Sequence, residues 1–305
     1  MIERIPYKGW ENCYKLTNGR VELIVTTDVG PRIIHFGFPD GENEFLAYEE
    51  WLGKTGSDEW RNYGGHRLWH APEVRGRTNT PDNEPVIVEE YDEFVRFIQP
   101  LETNTGIQKE IDIALDPTGP HVEIVHRLRN ANLWTVELAP WAISVMAPGG
   151  VAILPLPPRG PHSENLQPTS ALALWAYTDM SDPRWTWGRE HILVRQDPTA
   201  TTPQKIGATG AEEWLAYARN GHLMVTRFTY LPGILYPDLG TAIEVFTNGK
   251  MLEIETLGPL TLLEPGDIAE HTETWSLYQD VPQPQTEADV IEHILPRVRE
   301  TTIRG

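Results

Sequence analysis

The 305 residues carry 25 Lys and Arg against 44 Asp and Glu, a formal charge of -19. That balance disfavours nucleic acid, anionic membranes and polyanionic substrates, all of which need basic residues to neutralise phosphate. A hydrophobic fraction of 40% is enough for a substantial core, and a single cysteine, Cys13, allows neither an intrachain disulfide nor a cysteine metal cluster.

The chain opens with Met1-Ile2-Glu3-Arg4-Ile5-Pro6, which lacks the apolar core of a signal peptide. No later run reaches the length of a membrane span, so a soluble, cytoplasmic protein is expected. Alternation predicts a strand over 20–27 and its partner over 31–36, joined by an Asp28-Val29-Gly30 turn. Arg32 lies among aliphatic neighbours there, and such a charge needs a partner, either a protein carboxylate or a ligand.

An irregular stretch follows over 53–85. It contains Tyr63-Gly64-Gly65-His66-Arg67-Leu68-Trp69-His70-Ala71-Pro72-Glu73, read as part of a long polar loop. Imidazoles, a guanidinium, an indole and a carboxylate are poor core material, because each buried polar group needs a partner. They are good site material, and the glycine pair allows close approach of a ligand to the backbone.

Strand formers crowd 86–99, and 107–115 with 121–128 form an expected hairpin around Asp116-Pro117-Thr118-Gly119-Pro120. A proline-rich irregular stretch covers 155–169. Another, over 179–190, holds Trp185 and Trp187 beside Arg184 and Arg189. Further strands are expected over 171–178, 222–230, 241–247, 251–257 and 268–278. Many strands separated by Gly/Pro turns indicate an all-β protein, a large antiparallel β-sandwich or barrel. No linker composition interrupts it, so one domain over 1–305 is expected.

Only 286–302 reads as helix. Thr286 and Asp289 suit a capping box, and Val290, Ile291, Ile294, Leu295 and Val298 make one apolar stripe, with Pro296 set to kink it.

Two features carry chemistry. Along 251–257, alternation puts Glu253 and Glu255 on one face of a strand. Paired carboxylates repel, and partial burial would raise one pKa and make it a plausible general base or acid. Eleven tryptophans, several of them in polar segments, suit stacking on the apolar face of a sugar ring. Trp69 and Trp187 are equally readable as core or as site. His66, His70 and Glu73 have metal-ligand spacing only on a helix, which Pro72 and the glycines oppose; neither a metal nor a cofactor is called for.

Several short motifs resemble the galactose mutarotase-like superfamily, the large antiparallel sandwiches that include aldose 1-epimerases. Asn18-Gly19-Arg20 leading to Gly30-Pro31-Arg32-Ile33 is similar to its opening hairpin. Ile243-Glu244-Val245-Phe246-Thr247 and Glu255-Thr256-Leu257-Gly258-Pro259 resemble its late strand and the stretch carrying its catalytic glutamate. Leu263-Glu264-Pro265-Gly266-Asp267 is similar to its closing turn. Gly64-Gly65-His66-Arg67-Leu68-Trp69-His70-Ala71-Pro72-Glu73, with Trp141 and Gly149-Gly150, resembles an uncharacterised branch of the DUF4380 type.

The resemblance implies a mutarotase-like sandwich acting on a small sugar or sugar derivative. Glu255 would be the base, with Glu253 as the other choice, and His66 the acid, with His70 as its competitor. Arg32, Arg67, Trp69, His70, Glu73, Trp141 and Trp187 would contact substrate. The sequence departs from the family at Trp141, which stands where a catalytic histidine would be expected and cannot supply a proton at neutral pH. The other readings are a non-catalytic carbohydrate-binding or sensing protein, and a sugar lyase or hydrolase.

Overall fold

The computed structural model describes residues 1–302; residues 303–305 of the expected single domain lie outside the described residues. Antiparallel strands form two sheets packed face to face. In the eleven-stranded sheet the order begins Ile2–Tyr7, Trp10–Thr17, Glu22–Thr26, Arg32–Gly37 and Gly65–Ala71. It continues Val136–Met146, Leu252–Leu257, Ile243–Thr247, Gln204–Ala208 and Leu172–Leu174, with Thr261–Leu263 also paired to Val136–Met146. The ten-stranded sheet begins Trp185–Trp187, His191–Arg195, Val151–Pro155, Trp214–Arg219 and His222–Phe228. Ile268–Tyr278, His121–Asn130, Ile107–Leu115, Val95–Ile98 and Ile87–Glu90 complete it. The expected all-β sandwich is therefore the observed architecture.

Alternation sorts residues between the two faces of each strand. Leu68, Val245, Leu252 and Ile254 of the first sheet meet Ile111, Ile124, Met224 and Trp275 of the second in one continuous core. Full burial of each such side chain contributes about 1.5–3 kcal/mol. The outer face of the second sheet is covered by the C-terminal helix. Val290, Ile294 and Val298 are buried there against Val151, Leu193 and Trp214. Ile291, expected in that stripe, is instead exposed.

The helix starts at Glu287 with the predicted Thr286/Asp289 capping box and ends at Glu300. Its middle, Val290–Ile294, widens to a π turn just before Pro296. Proline has no N–H to give to the preceding turn, so the widening sits where the regular ladder must break.

The outer face of the first sheet is closed at its N-terminal side. There Trp10, Cys13, Ile24, Ile34 and Tyr63 pack under Trp51 and Leu52. Its centre is left open. The segment expected as a polar loop is in part a strand, Gly65–Ala71, with all seven residues buried in the middle of this sheet. Gly64 and Gly65 both have positive φ, and a Cβ on either would overlap a backbone carbonyl, of Leu46 or of Ile33 respectively. They bring the chain into the sheet at a distance only glycine allows. The strand expected over 171–178 shrinks to Leu172–Leu174, and Trp185–Trp187 is a short strand within a stretch expected to be irregular.

Candidate functional site

Register across the open centre of the first sheet places three rows of outward-facing side chains. Trp69 lies opposite Trp141, and Trp141 opposite Leu257. Arg67 lies opposite Ile143, Ile143 opposite Glu255, and Glu255 opposite Glu244. Glu253 lies opposite Phe246, and Phe246 opposite Lys205. These rows floor a cleft of about 390 Å³, walled by Trp60, Trp175, Tyr177 and Met251, with Asn62 and Glu73 at its margin. The volume is in the range of small-molecule sites, roughly 300–1,000 Å³.

The polar groups of this floor form two ion-paired sets. Arg67 Nη2 donates to Glu253 Oε1 at 2.9 Å. Its guanidinium stacks on Trp69, 4.5 Å from the ring centre, and its Nε and Nη1 have no protein partner. Trp60 Nε1 is likewise unpaired. Buried donors without acceptors are costly, and donors facing a cleft can be satisfied by a ligand that brings oxygen atoms.

In the second set, Lys205 Nζ lies 2.7 Å from Glu244 Oε2 and 2.9 Å from Glu255 Oε2. The ammonium is sandwiched by Trp141 and Trp175, at 4.6 and 4.7 Å from the ring centres. Trp141 Nε1 also donates to Glu255 Oε2, at 2.8 Å.

Burial raises the pKa of Glu255 above the ordinary carboxylate range. Lys205 works against that rise, while Glu244 and Glu253 add to it. Burial by itself would lower the Lys205 ammonium, but the two flanking carboxylates more than offset this and raise it. Burial also raises Glu244. Two carboxylates on one ammonium leave one negative charge in excess, so a proton is bound more readily here than on a solvated glutamate. Tyr177 is pushed by burial to about 12 and keeps its phenolic proton at neutral pH.

Of the residues predicted from sequence, the cleft brings together Glu255, Glu253, Arg67, Trp69, Glu73 and Trp141. Four others fall elsewhere. His66 and His70 alternate with Arg67 and Trp69 on the same strand and so point to the opposite face. His66 is fully buried between Ser144 and His126, with its pKa driven well below the usual value by burial, and has no route to a cleft ligand. His70 is buried beside Glu102. Among the described residues no histidine lines the cleft.

Arg32 finds a protein carboxylate rather than a ligand, donating through Nε and Nη2 to both oxygens of Asp82 at 2.8 and 2.9 Å. Trp187 lies on the edge strand of the other sheet and donates its indole N–H to the Met180 carbonyl. His66, His70 and Glu73 do not converge as ligands either. A strand rises about 3.3 Å per residue, which separates the two histidines by roughly 13 Å.

Lys205, Glu244, Trp175 and Tyr177 escaped the sequence reading. Gln204-Lys205-Ile206-Gly207-Ala208 is too short and too mixed to announce a strand, although it pairs fully with Ile243–Thr247. Glu244, one residue into a strand that was expected, carried the available signal: a charge between apolar neighbours.

No family model matches the sequence, and no curated protein matches it. Solved structures do match. A galactose mutarotase-like protein from Lactobacillus casei superposes with a TM-score of 0.54 at 9% identity, over 88% of this chain and 100% of that one. The likeness is one of fold. A galactose mutarotase related enzyme from Lactobacillus acidophilus gives 0.51 at 11% identity, over 90% and 99%. The Slr1438 protein from Synechocystis gives 0.57 at 11%, over 91% and 99%. The two sheets are thus those of a galactose mutarotase-like sandwich, and no helix among the described residues is long and apolar enough to cross a membrane.

Proposed function

We propose that the cleft binds a small sugar or sugar derivative and interconverts its anomers, as an aldose 1-epimerase does. The observation that carries this reading is the raised, buried carboxylate of Glu255 on the floor of an aromatic cleft, beside the unpaired donors of Arg67 and Trp60. Trp60, Trp69, Trp141 and Trp175 line the cleft with indole surface for the apolar side of a pyranose, and the unpaired N–H groups of Arg67 are donors that a hydroxyl oxygen displacing the packing around them would satisfy.

Anomer exchange needs a base for the anomeric hydroxyl proton and an acid for the ring oxygen, after which the C1–C2 bond turns and the steps reverse. Glu255 is the base. Its Oε2 is held by Trp141 and Lys205, which fixes the carboxylate and stabilises its charged form. Tyr177, a neutral O–H donor in the same cleft, takes the acid role that the buried histidines cannot fill. The Gly64–Trp69 motif supplies both Arg67 and Trp69 and supports a place in the DUF4380-type branch.

The test is anomer interconversion followed by polarimetry or NMR across a panel of free aldoses. Acceleration over buffer that disappears in Glu255→Gln supports the proposal; no acceleration for any sugar rejects catalysis. A second reading, sugar binding without turnover, is favoured by the absence of histidine among the described cleft residues. It predicts calorimetric binding, weakened by Trp69→Ala, in a protein that leaves anomer ratios unchanged.

A further inference from the structure

On the far side of Gly65–Ala71 from the cleft, the sandwich core holds three polar, ligand-type side chains converging from three strands. His66 and His126 face each other, Nε2 to Nε2, at 2.7 Å. Candidate ligand atoms of His66, His126 and Glu273 all lie within 4.8 Å of one another, and all three residues are buried. Nothing in the proposed chemistry of the cleft uses them.

Each group is oriented from behind. His126 Nδ1 donates to the His271 carbonyl at 2.9 Å, which leaves its Nε2 with the lone pair. His66 Nδ1 is 2.9 Å from Ser144 Oγ, and with the serine accepting, its Nε2 presents a lone pair as well. Glu273 receives Trp275 Nε1 at 2.8 Å on one oxygen and the Thr256 hydroxyl on the other. Outer partners of this kind, on the remote ring nitrogen and on the carboxylate, are what fix the ligands of a metal site. In that tautomer two facing lone pairs accept a cation between them; with the serine donating instead, His66 Nε2–H donates to His126 Nε2, and a metal ion would replace that proton.

We infer that His66, His126 and Glu273 form a buried site for one divalent transition-metal ion of the zinc class. Imidazole with a single carboxylate suits zinc or cobalt better than the oxygen-seeking magnesium or calcium. Metal–nitrogen bonds of about 2.0–2.1 Å in a tetrahedral site put two nitrogens roughly 3.4 Å apart, so the imidazole nitrogens, 2.7 Å apart here, separate by roughly 0.7 Å on binding. The ion would tie strand Gly65–Ala71 of the first sheet to His121–Asn130 and Ile268–Tyr278 of the second. With all three ligands buried, it would enter as the chain folds rather than through the finished core.

The full chain is purified from cells grown with Zn(II) or with Co(II), and metal is measured by elemental analysis after gel filtration in chelator. One equivalent of zinc is expected, and the cobalt form should show visible d–d absorption. Protein that is metal-free from both media overturns the inference. His126→Gln should lose the metal, whereas Glu255→Gln, on the cleft face, should keep it; metal retained in folded His126→Gln, or lost in Glu255→Gln, also overturns it. Should His126→Gln not fold, X-ray absorption on the wild-type zinc protein decides the matter. A shell containing imidazole supports the site, and a shell without it does not.

Discussion

The indole N–H of Trp141 donates to Oε2 of Glu255 across 2.8 Å, between residues on neighbouring strands. The position at which a histidine acid would be expected therefore holds a donor to the proposed base. The bond is made to the charged form of the carboxylate and favours it, against the burial that raises its pKa.

The pH profile of anomer interconversion should reflect that balance. A base works deprotonated, and Glu255 is raised, so activity should climb with pH through a value above the ordinary carboxylate pKa of about 4.3. Trp141→Phe removes a donor to the charged form, which should move the rising limb to higher pH and lower the rate at neutral pH by roughly ten-fold. A limb that stays in place would mean that Trp141 only packs.

Glu255→Gln keeps shape and removes the proposed base. The rate should fall by at least about 100-fold, while calorimetric sugar binding persists. Glu253→Gln should act chiefly on binding, because it releases Arg67 from its partner.

Lys205→Met leaves Glu244 and Glu255 buried without their shared cation. Breaking a buried pair in this way costs about 3–5 kcal/mol, readable as a lower midpoint in urea. Adding Glu244→Gln should recover part of the loss, since it removes one of the two stranded charges.

The strand carrying Glu253 and Glu255 was legible because its inward residues are apolar or hydroxylated and two of its three outward ones are acidic. Gly65–Ala71 was not, because both faces are polar and both are buried, so its alternation carries no contrast between apolar and charged residues. The outward Arg67 and Trp69, which line the cleft, and the inward His66 and His70, which do not, were picked by the same density of polar groups. Partners supplied from distant sequence, Asp82 for Arg32 and Lys205 for Glu255, left no local trace.

Acid stability offers a separate check. Burial by itself would raise Glu102, but Lys109 and hydrogen bonds involving His70, Lys109 and Thr105 more than offset it and hold the carboxyl at about 2. A depressed carboxylate adds stability that is fully present above its unfolded pKa of about 4.3 and is lost as pH falls toward 2. Glu102→Gln should flatten the stability profile in that window, by on the order of 3 kcal/mol, in urea melts at stepped pH.

Gly65→Ala should destabilise by more than about 2 kcal/mol, since alanine meets both an unfavourable positive φ and the Ile33 carbonyl. Denaturant melts of the purified variant measure it.

One seven-residue strand thus carries two independent inventories, indole and guanidinium outward, imidazoles inward. Moving it by one position would exchange them, placing both histidines in the cleft and the arginine in the core. Descendants of this chain can therefore change the outward letters and so what the cleft accepts, but they cannot add or lose one between Gly65 and Ala71. Divergent spelling at constant spacing is the pattern such a lineage should leave.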